Sequence, residues 1–215
     1  APIDSLSLIF EPENMEKLAE CGVHFLDAPD EVIPAALTYL GHDPNSTDTD
    51  ELEAAGELLM SVRPHVQKFH SSEYINGLAN GDICVAIGWS GDVLQARDRA
   101  DEAGNDVEIA YNAPSEGAVM WFDMMAIPVD APNPDGAHEF LNFIMDAENM
   151  AQATNYVYFA NGNKASQKYL NEDVITDPAI YPSEAALENL YIKKPYGMGT
   201  QRTVTRMWTK VKSGI

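Results

Sequence analysis

Residues 83–92, ICVAIGWSGD, carry the strongest structural signal in the chain. The apolar run 83–87 predicts a strand covered on both faces, and 91–103 behind it is predicted to be a helix. Trp89 and Asp92 follow the strand, so an aromatic ring and a carboxylate belong to one turn. A ring face attracts an ammonium and a carboxylate accepts its hydrogen bonds, so this pair suits an organic cation with an alkyl body.

A second pair of the same kind occurs in residues 119–128, VMWFDMMAIP. The pattern predicts a strand over 120–127. Side chains two residues apart in a strand share a face, so Trp121 and Asp123 are predicted to face the same way. Two ring-and-carboxylate pairs indicate a ligand with more than one amine.

The composition limits the classes of function. The 215 residues suffice for one large domain or two small ones, and 45% of them are hydrophobic, enough for a sizeable core. The net charge of −21, from 34 acidic and 13 basic residues, argues against nucleic acid and anionic membranes and favours cationic ligands. Most of these acids are expected to form a solvated surface. No membrane-spanning apolar run and no signal peptide are visible.

Helical and strand patterns alternate along the chain, which predicts an α/β protein. A Pro- and Gly-containing segment, 112–117, is predicted to cross between two lobes. The further predicted helices are 12–21, 30–40, 49–62, 72–80, 135–145, 148–156, 183–190 and 200–212, and the further predicted strands are 23–26, 66–69 and 107–111.

Motifs for catalysis or for metal binding are incomplete, so no cofactor and no metal are predicted. Residues 88–92, GWSGD, lack the Gly-x-Ser-x-Gly order of a nucleophile elbow. The five histidines include no His-x-x-x-His pair for zinc. The acidic loop 43–51 lacks the central glycine of a calcium loop and is interpreted as a solvated helix cap.

The two cysteines, Cys21 and Cys84, do not form a Cys-x-x-Cys motif. Cys84 falls within a predicted apolar strand, where a buried free thiol is common. In an oxidising compartment the two could instead form one disulfide. The residues alone leave both interpretations open.

Several longer stretches carry a family resemblance. They are CGVHFLDAPDEV, YLGHDPNST, FHSSEYINGLANGDICVAIGWSGDV, WFDMMAIP, ANGNKAS and RMWTKVKSG, spread from about residue 11 to the C-terminus. The sequence resembles the periplasmic putrescine- and polyamine-binding proteins of bacterial ABC importers, most of all the putrescine-binding type. The resemblance implies an α/β periplasmic-binding-protein fold of the cluster II type, with two lobes and a ligand cleft between them.

The resemblance also implies a set of ligand-binding residues. Trp89 with Asp92 and Trp121 with Asp123 match the two ring-and-carboxylate pairs, although the putrescine type more often has Phe where Trp121 stands. The remaining implied positions are Asp30 with the adjacent Glu31, Ser71 as a minor polar contact, and Phe159 where the family usually has a tyrosine.

Family members are longer than this chain, so the resemblance implies one nearly complete lobe and one partial lobe. Residues 1–118 and 168–215 are expected to form the C-terminal-type lobe. Residues 119–167 are expected to be the returning part of the N-terminal-type lobe, whose first portion is absent. That part is expected to expose an apolar face, covered in the whole protein by the missing portion or by a companion chain.

The function expected from the resemblance is non-catalytic capture of a polyamine in the periplasm, putrescine first and spermidine second. The bound amine would be delivered to the membrane permease of an ABC transporter. Alternatives of other kinds are a same-fold binder of another small solute, a ligand-free partner-sensing protein, and a hydrolase that uses Asp92 and Asp123 as paired acids.

Overall fold

The computed structural model describes all 215 residues, which form two compact units. The first unit contains residues 1–120 and 184–215, and the second contains residues 121–183. The compact units of this chain are not the lobes of the whole family fold, whose first portion lies outside these residues. The lobe boundaries expected above, 118/119 and 167/168, therefore stay a prediction.

A three-stranded parallel sheet lies at the centre of the first unit. Its strands β1 (Val23–Phe25), β2 (Lys68–Phe69) and β3 (Val85–Ala86) have the order β2-β1-β3. His24 pairs with Lys68 on one side and with Ala86 on the other. Because the three strands are parallel, their carboxyl ends meet at one edge of the sheet.

Helices pack against this sheet, whose central strand β1 is buried at all three positions, whereas β3 is half-buried. Asp48 caps the helix Thr49–Val62, because its carboxylate accepts hydrogen bonds from the amides of Asp50 and Glu51. The acidic loop is therefore a helix cap, as predicted. Trp208 is 5% exposed and its Nε1 donates to Asp27 Oδ1 at 2.9 Å. The helices of this unit are α1 (Ser7–Phe10), α2 (Pro12–Leu18), α3 (Pro29–Tyr39), α4 (Thr49–Val62), α5 (Glu73–Ala79), α6 (Ser90–Ala103), α10 (Glu184–Leu187) and α11 (Met198–Ser213), with a 3₁₀ turn at Arg63–His65.

Cys21 and Cys84 form a disulfide, with their Cα atoms 5.6 Å apart. Cys21 lies two residues before β1, and Cys84 immediately precedes β3. The bridge therefore joins neighbouring strands at their amino ends, and the free-thiol interpretation is wrong. Cys84 is exposed, because residues 83–87 form only a two-residue strand and do not lie wholly in the core.

The second unit is mainly helical. It contains α7 (Pro134–Met145), α8 (Ala147–Val157), α9 (Glu172–Ile175) and a 3₁₀ helix at Lys164–Tyr169. Asp146 ends α7 and begins α8, because its carboxylate accepts from the amides of Glu148 and Asn149. None of the helices of either unit combines the length and the hydrophobicity that a membrane-spanning helix requires.

Two predicted strands are wrong. Residues 107–111 alternate half-buried and exposed side chains, as a strand would, but form no ladder. The predicted strand 120–127 is replaced by β4 (Ala118–Met120), which pairs in parallel with β5 (Leu190–Ile192). Since β5 offers only three residues, the ladder stops at Met120. Leu190, predicted to be the last residue of a helix, belongs to that strand.

Candidate functional site

The carboxyl edge of the three-stranded sheet gathers five of the predicted ligand-binding residues. Asp30 and Glu31 follow β1, Ser71 follows β2, and Trp89 and Asp92 follow β3. In open α/β sheets, ligands bind outside the carboxyl ends of the strands. These five positions are far apart in sequence, and the parallel topology brings their loops to the same edge.

Trp89 and Asp92 are tied together by a third side chain. Trp89 is the N-cap residue of α6, and Asp92 lies in the first turn of that helix. The hydroxyl oxygen of Tyr74 accepts from the Trp89 backbone N–H at 3.1 Å, and the hydroxyl donates to Asp92 Oδ2 at 2.7 Å. The Trp89 side chain and the Asp92 carboxylate are both half-buried, so each keeps part of its surface accessible to solvent.

Asp30 and Glu31 lie side by side in the first turn of α3, after Pro29 at the helix start. Asp30 is exposed and Glu31 is half-buried. Burial raises the pKa of Glu31 above its usual value, and the neighbouring negative charge of Asp30 adds to the increase. A cation bound at this pair would offset both effects, because it stabilises the ionised form of each carboxyl group.

Ser71 occupies the turn between β2 and α5 and is half-buried. The neighbouring His70 fixes this turn, because its Nδ1 accepts from the backbone amides of Ser72 and Glu73, both at 3.1 Å. His70, rather than Ser72, therefore satisfies the first amides of α5. Lys68 and Glu73 form an ion pair beside the same turn.

The other three predicted residues belong to the second unit. Trp121 is 38% exposed, and its ring packs edge-on against Phe159, with ring centroids 6.1 Å apart and an interplanar angle of 68°. Phe159 follows the left-handed residue Tyr158 at the end of α8. Asp123 is exposed. Residues 121–123 do not form a strand, so the prediction that Trp121 and Asp123 share a strand face is wrong. The observed contact of the Trp121 ring is instead with the ring of Phe159.

Three residues that lie near the predicted ligand-binding residues were not identified from the sequence. Tyr74 has the helical spacing of a core residue, with no sequence signal for its contact with Asp92. Lys193 and Tyr196 follow β5, and the Lys193 ammonium lies 3.3 Å from the centroid of the Tyr196 ring. Burial lowers the pKa of Lys193, and it raises the pKa of Tyr196 to about 12. The negative charge of Asp30 raises the pKa of Tyr196 further, and it partly offsets the lowering of the pKa of Lys193.

Comparison with known proteins identifies the family. The model of the bacterial extracellular solute-binding protein family matches residues 12–182. The chain belongs to this family. The predicted α/β periplasmic-binding-protein fold is confirmed by solved structures. The TpPotD lipoprotein of Treponema pallidum has a TM-score of 0.81 and 25% identity, over 99% of this chain and 63% of that one.

Family members similar in sequence include putrescine-binding proteins. The putrescine-binding periplasmic protein SpuD of Pseudomonas aeruginosa is 54% identical over 214 residues, and the putrescine-binding periplasmic protein PotF of Escherichia coli is 50% identical over 215 residues. Each match covers 100% of this chain and 58% of the relative. The resemblance to putrescine-binding proteins is thereby confirmed, and the chain spans little more than half the length of these relatives.

Proposed function

We propose that the whole protein is an extracytoplasmic receptor for a polyamine, putrescine first and spermidine second. It captures the amine without chemical change and delivers it to the permease of an ABC importer. Similarity to two putrescine-binding periplasmic proteins, at 54% and 50% identity, supports the ligand class and the compartment. The relatives are solute-binding proteins, which favours capture over the alternative of a hydrolase.

The observation that carries this proposal is the turn that holds Trp89 beside Asp92. The half-buried indole offers an apolar face for methylene groups, and the carboxylate offers charge-assisted hydrogen bonds to an ammonium. A desolvated ammonium is costly unless it is paired, so a receptor for a diamine needs at least one carboxylate for each end. Asp30, Glu31 and Asp123 are the further carboxylates of the proposed site, and Ser71, Trp121 and Phe159 are its other members.

The net charge of −21 supports the same ligand class. An acidic surface raises the local concentration of small cations and speeds their association. This contribution should weaken with salt, because exposed charges are screened over roughly 8 Å at physiological ionic strength. The short-range contacts at Asp92 should be screened much less, since that side chain is half-buried.

Calorimetric titration of putrescine and spermidine into the whole protein tests the proposal. The wild type should bind one equivalent. Asp92→Asn should weaken binding roughly tenfold to hundredfold, since a paired charge is lost while the amide oxygen can still accept from Tyr74. Asp123→Asn should act in the same direction. Asp101→Asn is the matched control, because Asp101 is exposed near the other end of α6.

Absence of heat with both amines in the wild type would contradict the receptor function. Binding that is equally tight in the wild type and in both site variants would contradict the assigned residues while leaving an amine receptor. If neither amine binds, a thermal-shift panel of amino acids and other small solutes would identify the ligand class.

A further inference from the structure

The Tyr74 hydroxyl lies at the junction of the two groups that the proposed function assigns to ligand binding. Tyr74 is 0% exposed and belongs to the first turn of α5. Its oxygen bridges the Trp89 backbone amide at 3.1 Å and Asp92 Oδ2 at 2.7 Å. A single buried atom therefore contacts both the start of α6 and the carboxylate in its first turn.

The direction of each hydrogen bond follows from the number of protons. A backbone N–H can only donate, so the Trp89 amide directs its proton at the Tyr74 oxygen. The hydroxyl has one proton, and Asp92 is the acceptor left for it. Burial, and then the hydrogen bond to Asp92, raises the pKa of Tyr74 well above its usual range, so the hydroxyl keeps that proton. Asp92 Oδ2 is thus held as an acceptor, and lone pairs on the carboxylate remain for an ammonium.

The packing of the Tyr74 ring fixes the same turn from below. A Cβ atom placed on Gly88 would lie 2.5 Å from Tyr74 Cε2 and 3.0 Å from Cζ. The backbone that leads into Trp89 therefore rests directly on the ring, with no room for a side chain between them. Both the ring and the hydroxyl of Tyr74 constrain residues 88–92.

We propose that Tyr74 is a positioning residue for polyamine binding, which holds the Trp89 backbone and the Asp92 carboxylate in the relative arrangement that one amine end requires. This inference rests on the proposed function and deepens it. Tyr74 acts through Asp92 and Trp89 and is not itself a ligand contact. Its contribution to affinity should consequently depend on the presence of the Asp92 carboxylate.

A double-mutant cycle in the whole protein tests this dependence. Putrescine affinity is measured by calorimetry for the wild type, Tyr74→Phe, Asp92→Asn and the double variant. Tyr74→Phe should weaken binding roughly tenfold in the wild-type background and by a clearly smaller factor in the Asp92→Asn background, because there only the Trp89 backbone is left to position. Tyr39→Phe is the matched control, since it removes a hydroxyl whose partner is Glu11, and it should bind as the wild type does.

Equal losses in the two backgrounds would show a purely structural role and would overturn the inference. Unchanged putrescine affinity in Tyr74→Phe would also overturn the inference. As long as the wild type binds putrescine, that result would leave the proposed function intact. A wild type that binds no amine would end both.

Hydrogen exchange of the Trp89 amide in the isotope-labelled wild type keeps the inference testable if Tyr74→Phe does not fold. The amide should be strongly protected with and without putrescine, because the hydroxyl that accepts its hydrogen bond is buried. Free exchange in the amine-bound protein would contradict the proposed arrangement.

Discussion

The two units of the chain differ in what holds them together. The first buries a large apolar cluster around a parallel sheet, including Phe10, Phe25 and Leu37, each at most 1% exposed. In the second, the only buried hydrophobic side chains are those of Ala151, Val174 and Ile180. The first unit thus contains a core of its own, whereas the second lacks an apolar core of comparable size.

Polar contacts organise the second unit instead. Asn161 donates to Thr154 Oγ1 at 2.9 Å and accepts from Ser166 Oγ at 3.0 Å, and both partners are buried. Asn163 donates to the carbonyl of Met145 at 2.8 Å, which joins this loop to the end of α7. Such a network specifies a geometry but contributes little net stability per bond, since each bond replaces one to water.

The second unit also leaves large apolar side chains exposed. The helix α7 has no buried residue, although its sequence is amphipathic. The side chains concerned are Phe122 at 64%, Met124 at 87%, Phe140 at 55%, Phe143 at 58%, Met145 at 58% and Tyr156 at 80% exposed. An apolar face on residues 119–167 was expected from the sequence, and this exposure agrees with that expectation.

The sharpest test of the contrast compares two phenylalanines in this chain. Phe25→Ala should lower the free energy of unfolding by about 3–5 kcal/mol, because Phe25 is 1% exposed and the substitution would leave a cavity in the apolar core. Phe143→Ala should change it by less than about 0.5 kcal/mol, since Phe143 is 58% exposed. Chemical denaturation followed by circular dichroism measures both. Comparable losses in the two variants would contradict the difference between the units.

The disulfide should give the next largest effect, and only in the first unit. Replacing Cys21 and Cys84 together by Ser opens a loop with a sequence separation of 63 residues and should cost about 2–4 kcal/mol. Reduction of the wild type should lower the free energy of unfolding by a similar amount, which moves the midpoint of unfolding to lower denaturant. A midpoint unaffected by both treatments would show that the packed sheet alone fixes the amino ends of β1 and β3.

Much of the fold could be predicted because its signals are local. The amphipathic pattern of 49–62 predicts α4, with either Asp48 or Thr49 as its cap, and the apolar stripe of 135–145 predicts α7 to within one residue. The wrong strands at 107–111 and 120–127 were predicted from local pattern alone, but a strand also needs a neighbouring strand, and that pairing depends on residues far away in the sequence. The partner of β4 is β5, about 70 residues later, and its first residue, Leu190, was the last residue of a predicted helix.

The candidate site divides in the same way. Trp89 and Asp92 could be singled out because ring, carboxylate and strand end are adjacent in the sequence. Asp30, Glu31, Ser71 and Phe159 came from the family resemblance, since nothing local marks them. Tyr74 could not be predicted, because its hydroxyl reaches Asp92 only through the packing of α5 against α6.

The smallest predicted effect is a pH dependence of the first unit that centres on His24 in β1. His24 is 8% exposed, and burial, followed by the positive charge of Lys68, lowers its pKa below the usual value of 6.5. At a pH between the two pKa values, the unfolded chain binds a proton at this imidazole and the folded chain does not. The contribution of His24 to stability is therefore present above about pH 6.5 and is lost as the pH falls through the folded pKa. The slope for one proton cannot exceed about 1.4 kcal/mol per pH unit. Chemical denaturation between about pH 7.5 and 5 should show this decline in the free energy of unfolding of the wild type and a smaller decline for His24→Gln. The control His138→Gln changes an exposed histidine of the second unit and should show the full decline. An undiminished decline in His24→Gln would assign the titration to another group.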